Sequence, residues 1–157
     1  MVLETKYGDS EAAKAAEEQV VLDAKDIANS ISPYYGQGAS EKLFVLLAGH
    51  YGAIKEYMVA TYAGNKEGQN AAADKLKKNA GEIAAFLSSA NPNWSRDVFL
   101  SALTAHGGHH MAQIEDISKK DFASEAKVWE AMKKHIYVIA DVLANGIVKQ
   151  FPEKFSE

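Results

Sequence analysis

Five histidines are the residues of this chain best suited to chemistry, and the chain contains no cysteine. Any metal ion must therefore be held by imidazole, carboxylate or carbonyl groups. His50, His106 and His135 fall on the apolar faces of three different predicted helices, and His110 lies one turn beyond His106. A buried imidazole needs a partner for both ring nitrogens, and one shared metal ion satisfies several rings at once.

This pattern predicts a His-rich site in the protein core for iron, manganese or zinc. The expected metal ligands are His50, His106, His135, His110 and Asp23. Supporting hydrogen bonds are expected from Asn79, Glu82 and Asp26. Helical geometry places Asp23 and Asn79 nearer the buried faces than Asp26 and Glu82. The alternative for any single histidine is a core imidazole that is only hydrogen-bonded.

The spacing of the histidines leaves the reaction open. Helical residues at i, i+4 or i, i+3 are neighbours, so His106 can chelate an ion with His110 or with His109. The sequence has neither the Glu-x-x-His motif of di-iron bundles nor the His-Glu-x-x-His motif of metalloproteases. Iron or manganese would supply redox chemistry, whereas zinc would be hydrolytic or structural.

Two adjacent glycines, Gly107 and Gly108, interrupt the predicted helix that carries three of the histidines. Each costs the helix roughly 1 kcal/mol relative to alanine. That cost is explained if a neighbouring helix, or a bound ligand, approaches the backbone closely at this point. The sequence favours neither explanation over the other.

A polar pattern occurs twice in the chain with a constant offset. The matched pairs, each separated by 56 positions (for example, 106 minus 50), are Asp23 and Asn79, Asp26 and Glu82, Ile27 and Ile83, and His50 and His106. The two copies, residues 20–63 and 76–117, predict a duplicated helix-turn-helix unit. A pseudo-twofold arrangement would make His50 and His106 face one another. His110 and His135 have no matching histidine, so any asymmetric chemistry must come from them.

Apolar residues recur at helical spacing along most of the chain, without strand-like alternation. The predicted helices cover residues 10–31, 40–63, 66–90, 95–117 and 124–150, with caps at Asp9 or Ser10, Ser40, Ser95 and Ser124. Their predicted buried faces include Ile27, Trp129 and Ile136. The fold prediction is all-α: an up-and-down four-helix bundle plus a fifth helix, in one domain over residues 10–152, behind a flexible leader at residues 1–9.

Charge and composition exclude several other classes of protein. The net charge is −4 and 47% of the residues are apolar, so a nucleic-acid partner is not expected. The N-terminal residues lack an apolar run of signal-peptide length, and no membrane association is expected. A cytoplasmic location is the default prediction, although a signal peptide removed from a precursor is compatible with it.

Two other functions compete with metal binding. One is a non-catalytic bundle that holds a small apolar ligand or a haem with axial histidines. The other is a structural or interaction homodimer that uses apolar surface such as Phe44 and Val45 on the outer side of their helix.

Several turn and helix-end motifs resemble those of a known protein family. They are the segments from Asp26 to Gly36 with Pro33-Tyr34-Tyr35-Gly36, from Phe86 to Trp94 with Asn91-Pro92-Asn93-Trp94, and from Gly146 to Pro152. The family consists of small, helical, functionally uncharacterised prokaryotic proteins, and the resemblance spans residues 20–155. It implies a helical fold but no activity. Family members carry a longer first helix with aromatic residues and histidine, and this chain departs from them there.

Overall fold

The computed structural model describes residues 8–156, and all regular secondary structure in that range is helical. The helices are α1 (Ser10–Ser30), α2 (Ser32–Tyr35), α3 (Gln37–Tyr62), α4 (Lys66–Ala90), α5 (Arg96–Lys119), α6 (Phe122–Gln150) and a 3-10 turn (Pro152–Lys154). The predicted all-α class with five long helices is confirmed. The predicted flexible leader lies outside the described residues, apart from Gly8 and Asp9.

Polar side chains fix the starts of four long helices by accepting a backbone hydrogen bond. Asp9 caps α1, Asn65 caps α4, Ser95 caps α5 and Asp121 caps α6. Two predicted starts were placed late. Helix α6 begins ahead of the expected Ser124 cap, and α3 begins after Gly36, whose φ of 81° suits glycine. Because α3 begins earlier than predicted, Ser40 lies inside it, buried, and its hydroxyl donates to Asn29 Oδ1 at 3.2 Å.

The three central helices form the framework of the protein. Helix α4 packs against both α3 and α5, and α3 also contacts α5, whereas α1 packs on α3 and α6 packs on α5. None of the helices within residues 8–156 is long and apolar enough to cross a membrane. The finer predictions of an up-and-down bundle and a twofold repeat stay predictions.

Trp94 belongs to the largest of three clusters of buried apolar residues within residues 8–156, together with residues of α4, α5 and α6. Its indole Nε1–H donates to the carbonyl oxygen of Leu143 at 3.2 Å. A Cβ atom built on Gly146 would lie 1.9 Å from that Nε1, so only glycine allows the indole to lie against α6. This contact fixes α6 relative to the turn that precedes α5.

On the two outer helices, α1 and α6, three side chains predicted to be buried are substantially exposed. Ile27 is 51% exposed, Trp129 48% and Ile136 42%. In α1 Ala28 is buried in place of Ile27, whereas Val20 and Ala24 are partly buried as predicted, so only the Ile27 edge of the predicted face is exposed. Helix α6 packs on α5 with Met132, Ile139 and Gly146 buried, and Trp129 and Ile136 are left exposed. The sequence pattern overestimated how completely the two outer helices are covered.

Candidate metal centre

All five histidines take part in one series of ring contacts, hereafter the histidine cluster: His50 of α3, His106, His109 and His110 of α5, and His135 of α6. The His106 ring lies between those of His50 and His135. It is nearly parallel to both, at 17° and 21°, with ring centroids 6.0 Å and 6.4 Å apart. His110 meets the His106 ring edge-on at 4.7 Å, and His109 contacts His135 at 5.5 Å.

His50 is buried, and its hydrogen bond determines which ring nitrogen carries the proton. Its Nδ1 lies 2.9 Å from Asn79 Oδ1, while Asn79 Nδ2 donates to the Leu46 carbonyl at 3.0 Å. Because an amide oxygen can only accept, His50 Nδ1 must donate. In the neutral ring Nε2 therefore holds a lone pair, and this atom is buried without a hydrogen-bond partner.

His106 and His110 share a contact between like atoms. Their Nε2 atoms lie 3.2 Å apart, one helical turn apart on α5. Since both are nitrogen atoms, one of them must carry the proton that the other accepts. The remaining nitrogen of His106, Nδ1, is buried without a partner. Buried polar atoms in this condition are uncommon in proteins, and a bound water is one explanation for them.

His135 is fixed by the backbone of α5. Its Nε2 lies 2.8 Å from the carbonyl oxygen of Ala102, so Nε2 donates and Nδ1 holds the lone pair of the neutral ring. His50 and His135 thus flank His106, and each has one N–H group directed to a carbonyl oxygen. Histidines that bind metal ions are oriented in this way.

Burial keeps the inner rings neutral. Burial, followed by the charges of the neighbouring imidazoles, lowers the pKa of His106 from 6.5 to about 3. The same two causes lower the pKa of His110 to about 4. Burial also lowers the pKa of His50, against a smaller opposite effect of its bond to Asn79. At neutral pH these rings are in the unprotonated form that a metal ion requires.

The glycine pair in α5 has two different environments. A Cβ atom on Gly107 would lie 2.8 Å from Leu76 Cδ2, whereas one on Gly108 would have no heavy atom within 4 Å. Gly107 is therefore explained by the close approach of α4. That approach places the His106 turn of α5 beside the α4 residues that orient His50.

The predicted acidic residues stand apart from this buried environment. Asp23 is exposed and accepts a hydrogen bond from Gln19 at 2.7 Å, so the expectation that it faces the interior is wrong. Asp23 lies one turn before Ile27, on the same exposed edge of α1. Asp26 is exposed, and Glu82 is also exposed, 3.9 Å from Lys78. Asn79 does face the interior, as predicted.

Within residues 8–156, no three His, Asp or Glu side chains are arranged as ligands of one metal ion. The structure does bring the Nε2 atoms of His106 and His110 together, and it places the rings of His50 and His135 beside His106. The Leu46 and Ala102 carbonyls that orient Asn79 and His135 could not be predicted, because backbone atoms carry no residue-specific pattern.

Comparison of the chain with family models, with curated proteins and with solved structures gave no match. The resemblance in the turn motifs stays a prediction, and the function has to be inferred from the histidine cluster itself.

Proposed function

We propose that the protein binds a transition metal ion in the histidine cluster, with His106 and His110 as the first two ligands. The observation that carries this proposal is the 3.2 Å separation of their Nε2 atoms. Two imidazole nitrogens bound to one tetrahedral ion at about 2.0–2.1 Å are about 3.3 Å apart. The ring that carries the Nε2 proton would shift it to its own Nδ1, so that both Nε2 lone pairs are available to the ion without a change in the backbone of α5.

His50 is the third ligand in this proposal. Its Nε2 lone pair is buried and unpartnered, its ring faces His106, and Asn79 holds the opposite nitrogen as a donor. Binding an ion would relieve the cost of that unpartnered atom, which is about 1–3 kcal/mol for a buried polar group. A side-chain movement of His50 is needed to complete the set, because three ligands do not converge in the structure as it stands.

The nature of the ligands favours zinc or iron over manganese among the metals that the sequence suggested. Imidazole nitrogens suit zinc and iron, whereas manganese prefers carboxylate oxygens, and Asp23, Asp26 and Glu82 are all exposed. Three imidazoles leave one position of a tetrahedral ion for a small molecule. That open position is typical of zinc sites that carry out hydrolysis rather than purely structural ones.

Metal analysis and cobalt titration test the proposal. Protein purified without added metal is analysed for bound elements, stripped with a chelator, and titrated with Co²⁺, whose visible absorption reports tetrahedral coordination. We expect one tight equivalent in the wild type and its loss in His106→Gln and His110→Gln. His109→Ala is the matched control, because it removes an imidazole from the same helix without touching the Nε2 pair.

Circular dichroism and thermal melts establish that each variant is folded. The proposal is wrong if folded wild-type protein is metal-free and colourless and takes up neither Zn²⁺ nor Co²⁺ at micromolar concentration. The histidines would then be hydrogen-bonded core residues. A Soret band in the purified protein would instead support haem, the alternative with axial histidines.

A further inference from the structure

The pair formed by His109 and His135 is not used by the proposed ligand set. The two rings are 5.5 Å apart at 61°, one on α5 and one on α6. Both side chains are partly exposed, as are those of His106 and His110, whereas the third inner ligand, His50, is only 7% exposed. Two imidazoles from different helices therefore meet where an ion from solution can reach them.

We infer that His109 and His135 form a second, outer site for a divalent transition metal ion, and that the inner ligands are loaded through it. The loading role rests on the proposed function, but the outer site does not. His135 is oriented as a ligand, because its Nε2–H is directed to the Ala102 carbonyl and its Nδ1 lone pair is left for an ion. His109 has no such restraint and is free to adjust to the ion.

His135 also connects the outer pair with the inner one. Its ring is nearly parallel to that of His106, at 21°, and their centroids are 6.4 Å apart. The ring that would hold the outer ion is therefore a direct neighbour of a ring that would hold the inner one. A buried metal site needs a path from solution. The outer pair would shorten that path by holding the ion at high local concentration beside the inner ligands.

Stopped-flow mixing with Co²⁺ separates the two sites. The inner site gives the strong absorption of a tetrahedral ion, and the outer site, completed by water, gives a weak second equivalent at excess Co²⁺. We expect His109→Ala to lose the weak equivalent and to slow loading of the inner site by about tenfold or more. The equilibrium affinity of the inner site should stay at its wild-type value.

His109→Ala and His110→Gln serve as controls for one another, since they change adjacent residues of one helix. His110→Gln should abolish the tight equivalent and keep the weak one. If His109→Ala keeps the weak equivalent and loads at the wild-type rate, the outer site is refuted and the proposed function stands. If the wild type binds a single weak equivalent that His109→Ala alone removes, the outer site stands and the proposed function fails.

His135→Ala provides a second test on the other helix. It should reproduce the kinetic effect of His109→Ala. If it folds, as shown by circular dichroism, but loads at the wild-type rate, the assignment of His135 to the outer site is wrong.

Discussion

Mild acid should destabilise the metal-free protein through His106 and His110, whose rings burial keeps neutral. The pKa of His106 is about 3 and that of His110 about 4 in the folded protein, against 6.5 for an ordinary histidine. The unfolded chain therefore binds protons below pH 6.5 that the folded chain does not. Stability must fall as the pH drops from 6.5 towards the folded pKa values, and it is fully present above 6.5.

The size of the effect follows from the width of that window. Each ring lowers the free energy of unfolding by about 1.4 kcal/mol for each pH unit below 6.5. At pH 5 the loss is therefore about 2 kcal/mol for each ring. The two rings together give a loss of about 4 kcal/mol, an upper value because the two sites are coupled. A domain of this size has about 5–15 kcal/mol of stability in total, so the loss is large enough to measure.

Urea unfolding in the presence of a chelator, followed by circular dichroism at pH 7, 6 and 5, measures this loss. Carboxylates contribute little above pH 5, because the shifted acids Glu17 and Glu115 have pKa values below 4.5. A variant carrying both His106→Gln and His110→Gln should lose far less stability over the same range. Wild-type stability that changes by less than about 1 kcal/mol between pH 7 and pH 5 would refute the assignment of neutral buried rings.

The remaining predictions concern the packing around the cluster. Gly107→Ala should have a free energy of unfolding about 1–3 kcal/mol below that of Gly108→Ala, because both gain helix propensity but only the Gly107 Cβ atom would lie 2.8 Å from Leu76 Cδ2. Gly108→Ala is its matched control and should raise that free energy by up to about 1 kcal/mol, since the new methyl group meets open space in a helix. Equal effects of the two substitutions in urea unfolding would contradict the close approach of α4. Asn79→Ala should lower the free energy of unfolding by about 1–3 kcal/mol, because it leaves the His50 Nδ1–H group buried without an acceptor. Asn79→Asp restores the acceptor and should bind Co²⁺ more tightly than Asn79→Ala; equal Co²⁺ affinities would remove Asn79 from the ligand-orienting role.

The extent of the helices was largely predictable because caps and stop signals are local. The range predicted for α4, residues 66–90, is the observed one, and the Ser95 cap of α5 is confirmed. The predicted start of α3 was wrong, because a residue that could cap a helix, Ser40, follows a glycine that starts the helix earlier. Ser40 matches the cap pattern, yet the chain turns at Gly36 with φ at 81°, and α3 begins directly after it. Glycine in the left-handed region overrode the polar side chain.

The sequence correctly predicted which histidines come together at the candidate site, but it did not predict that Asp23 is exposed. His50 and His106 each lie at the centre of an apolar stripe, where a small error in the predicted face does not change the side of the helix that a residue occupies. Asp23 lies at the edge of its stripe, beside Ile27, and that edge faces solvent. His109 was considered only as a chelating neighbour of His106, because its contact with His135 depends on how α6 packs against α5.

The two tryptophans of the protein have different environments, because Trp94 is buried against Gly146 and Trp129 is exposed. Trp94 is 2% exposed and hydrogen-bonded to a helix carbonyl, whereas Trp129 is 48% exposed beside Lys133. A soluble quencher such as acrylamide should therefore suppress the emission of Trp129 first. With Trp129→Phe, the fluorescence comes from a single chromophore that reports the docking of α6, independently of any signal from the imidazoles.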